Sequence, residues 1–322
     1  MTRIPLTQIS SRAWEHPADR AALNSLRAIP GFDEIVRKVA AFFGERGVRH
    51  LFTANAVRVG PTQFPELHAL FTEVLETMDW PERPELFVSQ TPVVNAFAVG
   101  FDKPFVVMNS GLLELLDREE QRFILAHELG HIMSGHSTYR TIAIIVMTVG
   151  LSGLPFLANI ALLPFQIALL EWYRKSELSC DRAGLLGVQD VERAQRTFLK
   201  MAGGPEATDL PAFIDQAREY EIDTGVWDKV LKVMNTAFRE HPFATVRVAE
   251  LQRFIDSGAY AKIVAGDYVR RDDPTTPPLE NDLREATDYY SDAARDMVGS
   301  VADSIAKARD AFNDAFKGRS GP

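Results

Sequence analysis

The stretch Ala126-His127-Glu128-Leu129-Gly130-His131 sets two histidines four residues apart, with a glutamate directly after the first. On an α-helix of 3.6 residues per turn such histidines project from one face, so their imidazoles can share a metal ion. Glu128 falls about 100° further round the helix, off the ligand face but placed to touch a water on that metal. The stretch is useful to a metal only as a helix. A catalytic metal ordinarily takes three protein ligands and keeps one position open, so the chain has to bring a third group back to this face. That return constrains the fold more than any other feature of the sequence.

The helix is well specified locally. Asp117-Arg118-Glu119-Glu120 reads as a capping box, with Asp117 at the N-cap and Glu120 reaching back from the third position. The acidic first turn suits the helix dipole, and Phe123, Ile124, Leu125 and Leu129 supply apolar faces. The run is expected to stay helical to about Gly135. The H-E-x-x-H arrangement is that of zinc peptidases, in which the glutamate acts as general base.

The surrounding chain reads as mostly helical α+β. Residues 1–15 are expected to form an arm. His16-Pro17-Ala18-Asp19 opens a helix ending near Pro30, and a second runs from Phe32 to Arg46. Val48 to Val59 has the β-branched alternation of a strand, and Phe64 to Trp80 is helical again. Glu85–Ser89, Asn95–Val99 and Pro104–Met108 are three short strand candidates directly before the metal-binding helix. An exposed edge there could hold an extended peptide by main-chain hydrogen bonds, with Asn95, Ala96 and Phe97 as the substrate-binding strand; a purely structural hairpin is the other reading. Further helices are expected over 171–202, 210–220, 226–238 and 243–255. Residues 270–278 read as a linker, and Glu280 to Lys317 as an amphipathic helix with a narrow apolar stripe. This divides the chain into N-terminal helices and a strand packing on the catalytic core (1–63), a catalytic domain (64–265), and a linker with a C-terminal helix (266–322).

A formal charge of −9 argues against a nucleic-acid partner. The single cysteine, Cys180, excludes an internal disulfide and fits a reducing compartment. No apolar signal-peptide core stands at the N-terminus, and the expected location is cytoplasmic, with or without membrane association. The membrane question arises from Thr141–Leu170, thirty residues without a charge or histidine. Thirty helical residues reach about 45 Å, short of the roughly 60 Å that two passes of a hydrocarbon core need. If a third ligand lies beyond the run, a crossing is therefore excluded. A buried helical hairpin or a shallow peripheral dip into one leaflet remains.

His136 is the nearest candidate for the third ligand. It is out of register with the H-E-x-x-H-x-x-G-x-x-H pattern, because Gly135 and His136 stand at +8 and +9 from His127 rather than +7 and +10. Glu177 and Asp181 lie one helical turn apart and face the same way. One can bind metal while the other accepts the N–H of a ligand histidine. A solvated acidic face is the alternative for that pair. Glu171 has Lys175 at +4 and would simply pair with it.

HELGH, then Glu177-x-x-x-Asp181, then His241-Pro242 with Arg247 six residues after that histidine, resembles the M48 (Ste24/HtpX-like) zinc metallopeptidases of the soluble or peripheral type. Asn95-Ala96-Phe97-Ala98 matches the family's strand ahead of the zinc helix, and the resemblance covers roughly residues 64–251. It implies a zincin-type (gluzincin) fold and one zinc per chain held by His127, His131 and Glu177. It also implies Glu128 as base, Asp181 behind a ligand, and roles near the active site for His241 and Arg247, either of which is a candidate donor to the developing oxyanion. The activity implied is endopeptidase cleavage of polypeptides, with protein quality control as its setting. Where many members read NAFALPGG this chain reads NAFAVGFDKP, so the turn beside the substrate strand is expected to differ. A zinc-bearing chaperone that holds unfolded chains without cutting them is the rival. The intact Glu128 speaks against it, since a pure binder needs no base there.

Overall fold

The computed structural model describes residues 3–28, 32–149, 162–222 and 243–273. Among the described residues, eleven α-helices and four strands follow one another. Helices α1 (Pro17–Arg27) and α2 (Phe32–Thr53) precede strand β1 (Ala56–Arg58) and helix α3 (Pro65–Thr77). Strands β2 (Glu85–Ser89), β3 (Ala96–Val99) and β4 (Phe105–Asn109) come next, then helices α4 (Ser110–Leu115), α5 (Arg118–Met133), α6 (Ser137–Val149) and α7 (Leu162–Val188). The described remainder is α8 (Val191–Met201), α9 (Leu210–Ile222), α10 (Ala244–Asp256) and α11 (Ala259–Val264). This is the mostly helical α+β fold with a small sheet ahead of the HELGH helix.

The sheet has the order β1-β2-β4-β3, with β2 and β4 parallel and both outer pairs antiparallel. Alternation along the strands sends Leu86, Val88, Ala98, Val106 and Met108 to one face and Phe87, Val99, Phe105 and Val107 to the other. The first face packs into the main core with α3, α5, α7 and α10. The second faces a separate cluster built by α1, α2, α6 and the start of α7. Both faces are thus covered, and β3 is left as an edge. Its turn into β4 has an unusual anchor. The backbone N–H groups of Phe101, Asp102 and Lys103 all donate to the carboxylate of Glu45 on α2, at 3.2–3.3 Å, and Gly100 N–H donates to Thr141 Oγ1 at 2.8 Å. This local chemistry occupies the place where the sequence departs from NAFALPGG.

One expectation needs correction. The strand foreseen over Val48–Val59 is confined to Ala56–Arg58, because helix resumes after a break at Gly44 (φ +61°) and runs to Thr53. Val48 and Phe52 are four apart and both pack into the second cluster, so burial overrides the weak β preference of a β-branched residue. The N-terminal arm is tied into the fold. Leu6, Ile9 and Trp14 are fully buried in the main core, and Ser10 N–H donates to Val269 O while Arg271 N–H donates to Gln8 O.

Of the uncharged run, Ile142, Ala143, Ile145 and Leu169 are buried against the second face of the sheet. Its tip lies outside the described residues, as do the expected helix over 226–238, most of the linker and the C-terminal helix. Among the described residues no helix is long and apolar enough to cross a membrane.

Helices α5 and α7 carry the site and make the most extensive helix–helix contact. They approach closely because glycines face each other's neighbours. A Cβ on Gly187 would stand 2.2 Å from Ala126 Cβ, one on Gly130 would stand 2.6 Å from Ala183 Cβ, and one on Gly184 would meet the Phe123 ring at 2.7 Å. Gly187→Ala is therefore expected to cost about 1–3 kcal/mol by overpacking and to weaken metal binding by parting the two helices. Gly60→Ala, where nothing lies within 4 Å of the added carbon, is expected to stay within about 0.5 kcal/mol. Urea melts with a zinc-chelator titration check both; equal behaviour of the two variants would remove close helix packing as the reason for Gly187.

Candidate metal centre and active-site cleft

The capping box forms as the sequence implies. Asp117 accepts from the backbone N–H of Glu119 and Glu120 while Glu120 Oε2 accepts from Asp117 N–H at 2.8 Å. The helix it starts stops at Met133, two residues short of Gly135, in a Schellman turn. Gly135 takes φ +68°, its N–H donates to Ile132 O, and His136 N–H donates to His131 O at 2.9 Å. Within α5, His127 Nε2 and His131 Nε2 face each other at 3.2 Å. From α7, Glu177 Oε2 stands 3.4 Å from His127 Nε2 and Glu177 Oε1 stands 3.3 Å from His131 Nε2. All three side chains are buried.

These distances test whether a metal fits. A tetrahedral zinc with bonds of about 2.0–2.1 Å separates its ligand atoms by about 3.3 Å, which is the edge of the triangle the three residues form. Burial alone would lower the His127 imidazole, but contacts with Asp181 and Glu177 raise it to about 9. His131 goes the other way, pushed well below the usual imidazole range by burial and by the Arg140 guanidinium. Glu128 Oε1 is 3.9 Å from His127 Nε2, beside the triangle rather than in it. Its Oε2 is buried without a hydrogen-bond partner, at 3.8 Å from Arg140 Nη1.

Each ligand is braced from behind. His127 Nδ1 contacts Asp181 Oδ1 at 3.0 Å, and Arg247 of α10 grips Asp181 through Nε at 2.9 Å and Nη2 at 2.5 Å. Arg247 Nη2 also lies 3.6 Å from Glu177 Oε2. Arg140 of α6, fully buried, puts Nη1 3.3 Å from Glu177 Oε1 and donates from Nη2 to Tyr173 Oη at 2.8 Å. A cleft of about 580 Å3 opens onto His127, Glu128, Glu177 and Arg247. Its walls are otherwise largely apolar, with Val93, Val94, Ile124, Phe198, Met201 and Phe243 among them, and Asn95 and Ala96 form its rim at the head of edge strand β3.

The model of peptidase family M48 matches residues 61–255. The chain belongs to peptidase family M48. It is 33% identical over 258 residues to the plastoglobule-localized metallopeptidase 48 of Arabidopsis thaliana, covering 78% of this chain and 74% of that chloroplast protein. It is 35% identical over 120 residues to a protease HtpX homolog of Moorella thermoacetica (37% of this chain, 39% of the relative). A Helicobacter pylori homolog is 30% identical over 164 residues (50% and 46%). The chain thus spans less than half the length of these two HtpX homologs. No solved structure matches. The protein is a metallopeptidase, and membership of the family implies a metal, typically zinc.

In this M48 peptidase the residues singled out from sequence mostly converge. His127, Glu128, His131, Glu177, Asp181 and Arg247 come together, Asn95 and Ala96 line the same cleft, and Phe97 lies in β3 packed on Phe52 at 5.3 Å between ring centroids. His241 lies outside the described residues. Arg247 lines the cleft, with Nε and Nη2 donating to Asp181. Cys180 is buried, with Sγ 3.8 Å from His136 Nδ1. Arg140, Tyr173 and Asp19 were not foreseen. Nothing local marks them, since each reaches the site only through the packing of α1, α6 and α7. His136 was weighed as a ligand, but its ring meets the opposite nitrogen of His131, Nδ1, at 3.2 Å.

Proposed function

We propose that the protein is a zinc-dependent metalloendopeptidase with one zinc per chain, held by His127, His131 and Glu177, and with Glu128 as general base. The observation that carries this is the set of Nε2, Nε2 and carboxylate oxygens at 3.2–3.4 Å, with Glu128 Oε1 beside it, 3.9 Å from His127 Nε2, on the wall of the cleft. Zinc in that triangle supplies Lewis-acid chemistry, activating water and polarising the scissile carbonyl. Glu128 takes the proton of the attacking water as its oxygen bonds to the carbonyl carbon. It then delivers a proton to the departing amine nitrogen as the C–N bond breaks. Asp181 keeps the His127 ring oriented, and Arg247 fixes Asp181.

The open edge of β3 supports a substrate held as an added strand, through main-chain hydrogen bonds that any sequence can make. The apolar wall adds a preference for large apolar side chains near the scissile bond. Unfolded polypeptides present both features, which suits a role in protein quality control. Purified protein is expected to contain one zinc per chain, to cleave casein, to lose cleavage on chelation and to regain it on zinc addition. Cleavage indifferent to a chelator that has stripped the metal would overturn this reading.

A further inference from the structure

We propose that Asp19, on helix α1, is a positioning residue that acts through His136 to hold His131 in its metal-binding tautomer. The inference rests on His131 being a ligand and extends the site beyond residues 61–255, the part matched by the family model. The contacts form one line. His131 Nδ1 is 3.2 Å from His136 Nδ1, and His136 Nε2 is 3.2 Å from Asp19 Oδ2. All three side chains are buried.

Proton bookkeeping leaves one assignment for a neutral His136. An ionised carboxylate can only accept, so the neutral ring carries its proton on Nε2 and offers a lone pair at Nδ1. His131 must then be the donor from Nδ1, which leaves its Nε2 lone pair facing Glu177 and His127. Asp19 is itself fixed, accepting from Trp172 Nε1 at 3.0 Å and from Ser179 Oγ at 2.5 Å. Ser179 in turn accepts from His16 N–H at 2.8 Å, at the start of α1. The Schellman turn at Gly135 places the His136 ring there, and its geometry needs the positive φ that glycine adopts freely. The two ligand histidines are thus served differently: His127 meets its carboxylate directly, whereas His131 meets one through a second imidazole.

Two measurements test the proposal. In zinc-loaded wild type, long-range 15N–1H NMR of the histidine side chains is expected to show His131 protonated at Nδ1 and His136 at Nε2. His136 protonated at Nδ1 alone would overturn the relay without any variant being needed. In Asp19→Asn the fixed acceptor is replaced by a neutral amide. Zinc affinity by chelator competition is then expected to fall about 10–100-fold, with the His136 resonances showing mixed tautomers. Asp19→Asn with zinc affinity within about twofold of wild type would also overturn it. Zinc content of the wild type reports separately on the ligand set: no bound zinc there fails the metal site itself, whereas bound zinc with the opposite tautomer fails only the relay.

Discussion

Glu128→Gln is expected to retain its zinc and its fold while losing about 10²–10⁴-fold in the rate of casein cleavage, the usual contribution of a positioned general base. Glutamine has nearly the shape of glutamate and an equal preference for helix, so α5 is not disturbed. It cannot take up a proton. Glu128 stands outside the ligand triangle, 3.9 Å from His127 Nε2, so removing its charge takes no ligand from the metal. Arg140 keeps its closer carboxylate, Glu177, at 3.3 Å. The measurements are zinc content, thermal melting and proteolytic rate on one preparation. Cleavage at the wild-type rate would sink the general-base assignment. Inactivity of wild type and variant alike, at every pH and substrate tried, would favour a protein that holds unfolded chains without cutting them.

Glu177→Ala is expected to do damage of a different kind, losing both metal and stability. The carboxylate closes the ligand triangle, and it also faces two buried guanidinium groups, Arg140 at 3.3 Å and Arg247 at 3.6 Å. Removing one partner of a buried ionic cluster strands the others, at a cost of about 3–5 kcal/mol. Arg247 keeps its grip on Asp181, so the larger share falls on Arg140, whose remaining nearby carboxylate, Glu128, is 3.8 Å away. Glu177→Gln should lose most of the zinc affinity with a smaller stability cost, because the amide oxygen can still face Arg140. Metal analysis and urea denaturation of the chelated proteins separate the two effects. Full zinc occupancy in Glu177→Ala would remove Glu177 from the ligand set.

The contrast between these variants follows from how each residue could be recognised. His127, Glu128 and His131 share one helical turn, and the cap that starts their helix is four consecutive residues, so periodicity and capping chemistry suffice to place them. Glu177 and Asp181 needed a little more: their i, i+4 spacing shows that they face the same way, and the demand for a third ligand supplies the reason. Order along the chain, with His241-Pro242 and Arg247 following, then points to the family. The sheet before the helix was legible as three short apolar runs, although not the parallel pairing of β2 with β4 that makes β3 the edge.

What the amino-acid sequence determined by itself is therefore whatever depends on neighbours within a turn or a strand: the metal-binding helix, its start, the ligand pair and the carboxylate pair. The tertiary structure alone decided which distant groups brace them. Asp19 reaches His136 across 117 positions of chain, and Arg140 reaches Glu177 only because α6 and α7 pack together. Even for His136, five residues from His131 and out of register as a ligand, only the left-handed turn at Gly135 shows which imidazole nitrogen it meets. The helical conformation of Val48, beyond the break at Gly44, has the same origin. Burial against a surface built by remote parts of the chain outweighs a propensity difference of less than about 1 kcal/mol, and that surface exists only once the chain has folded.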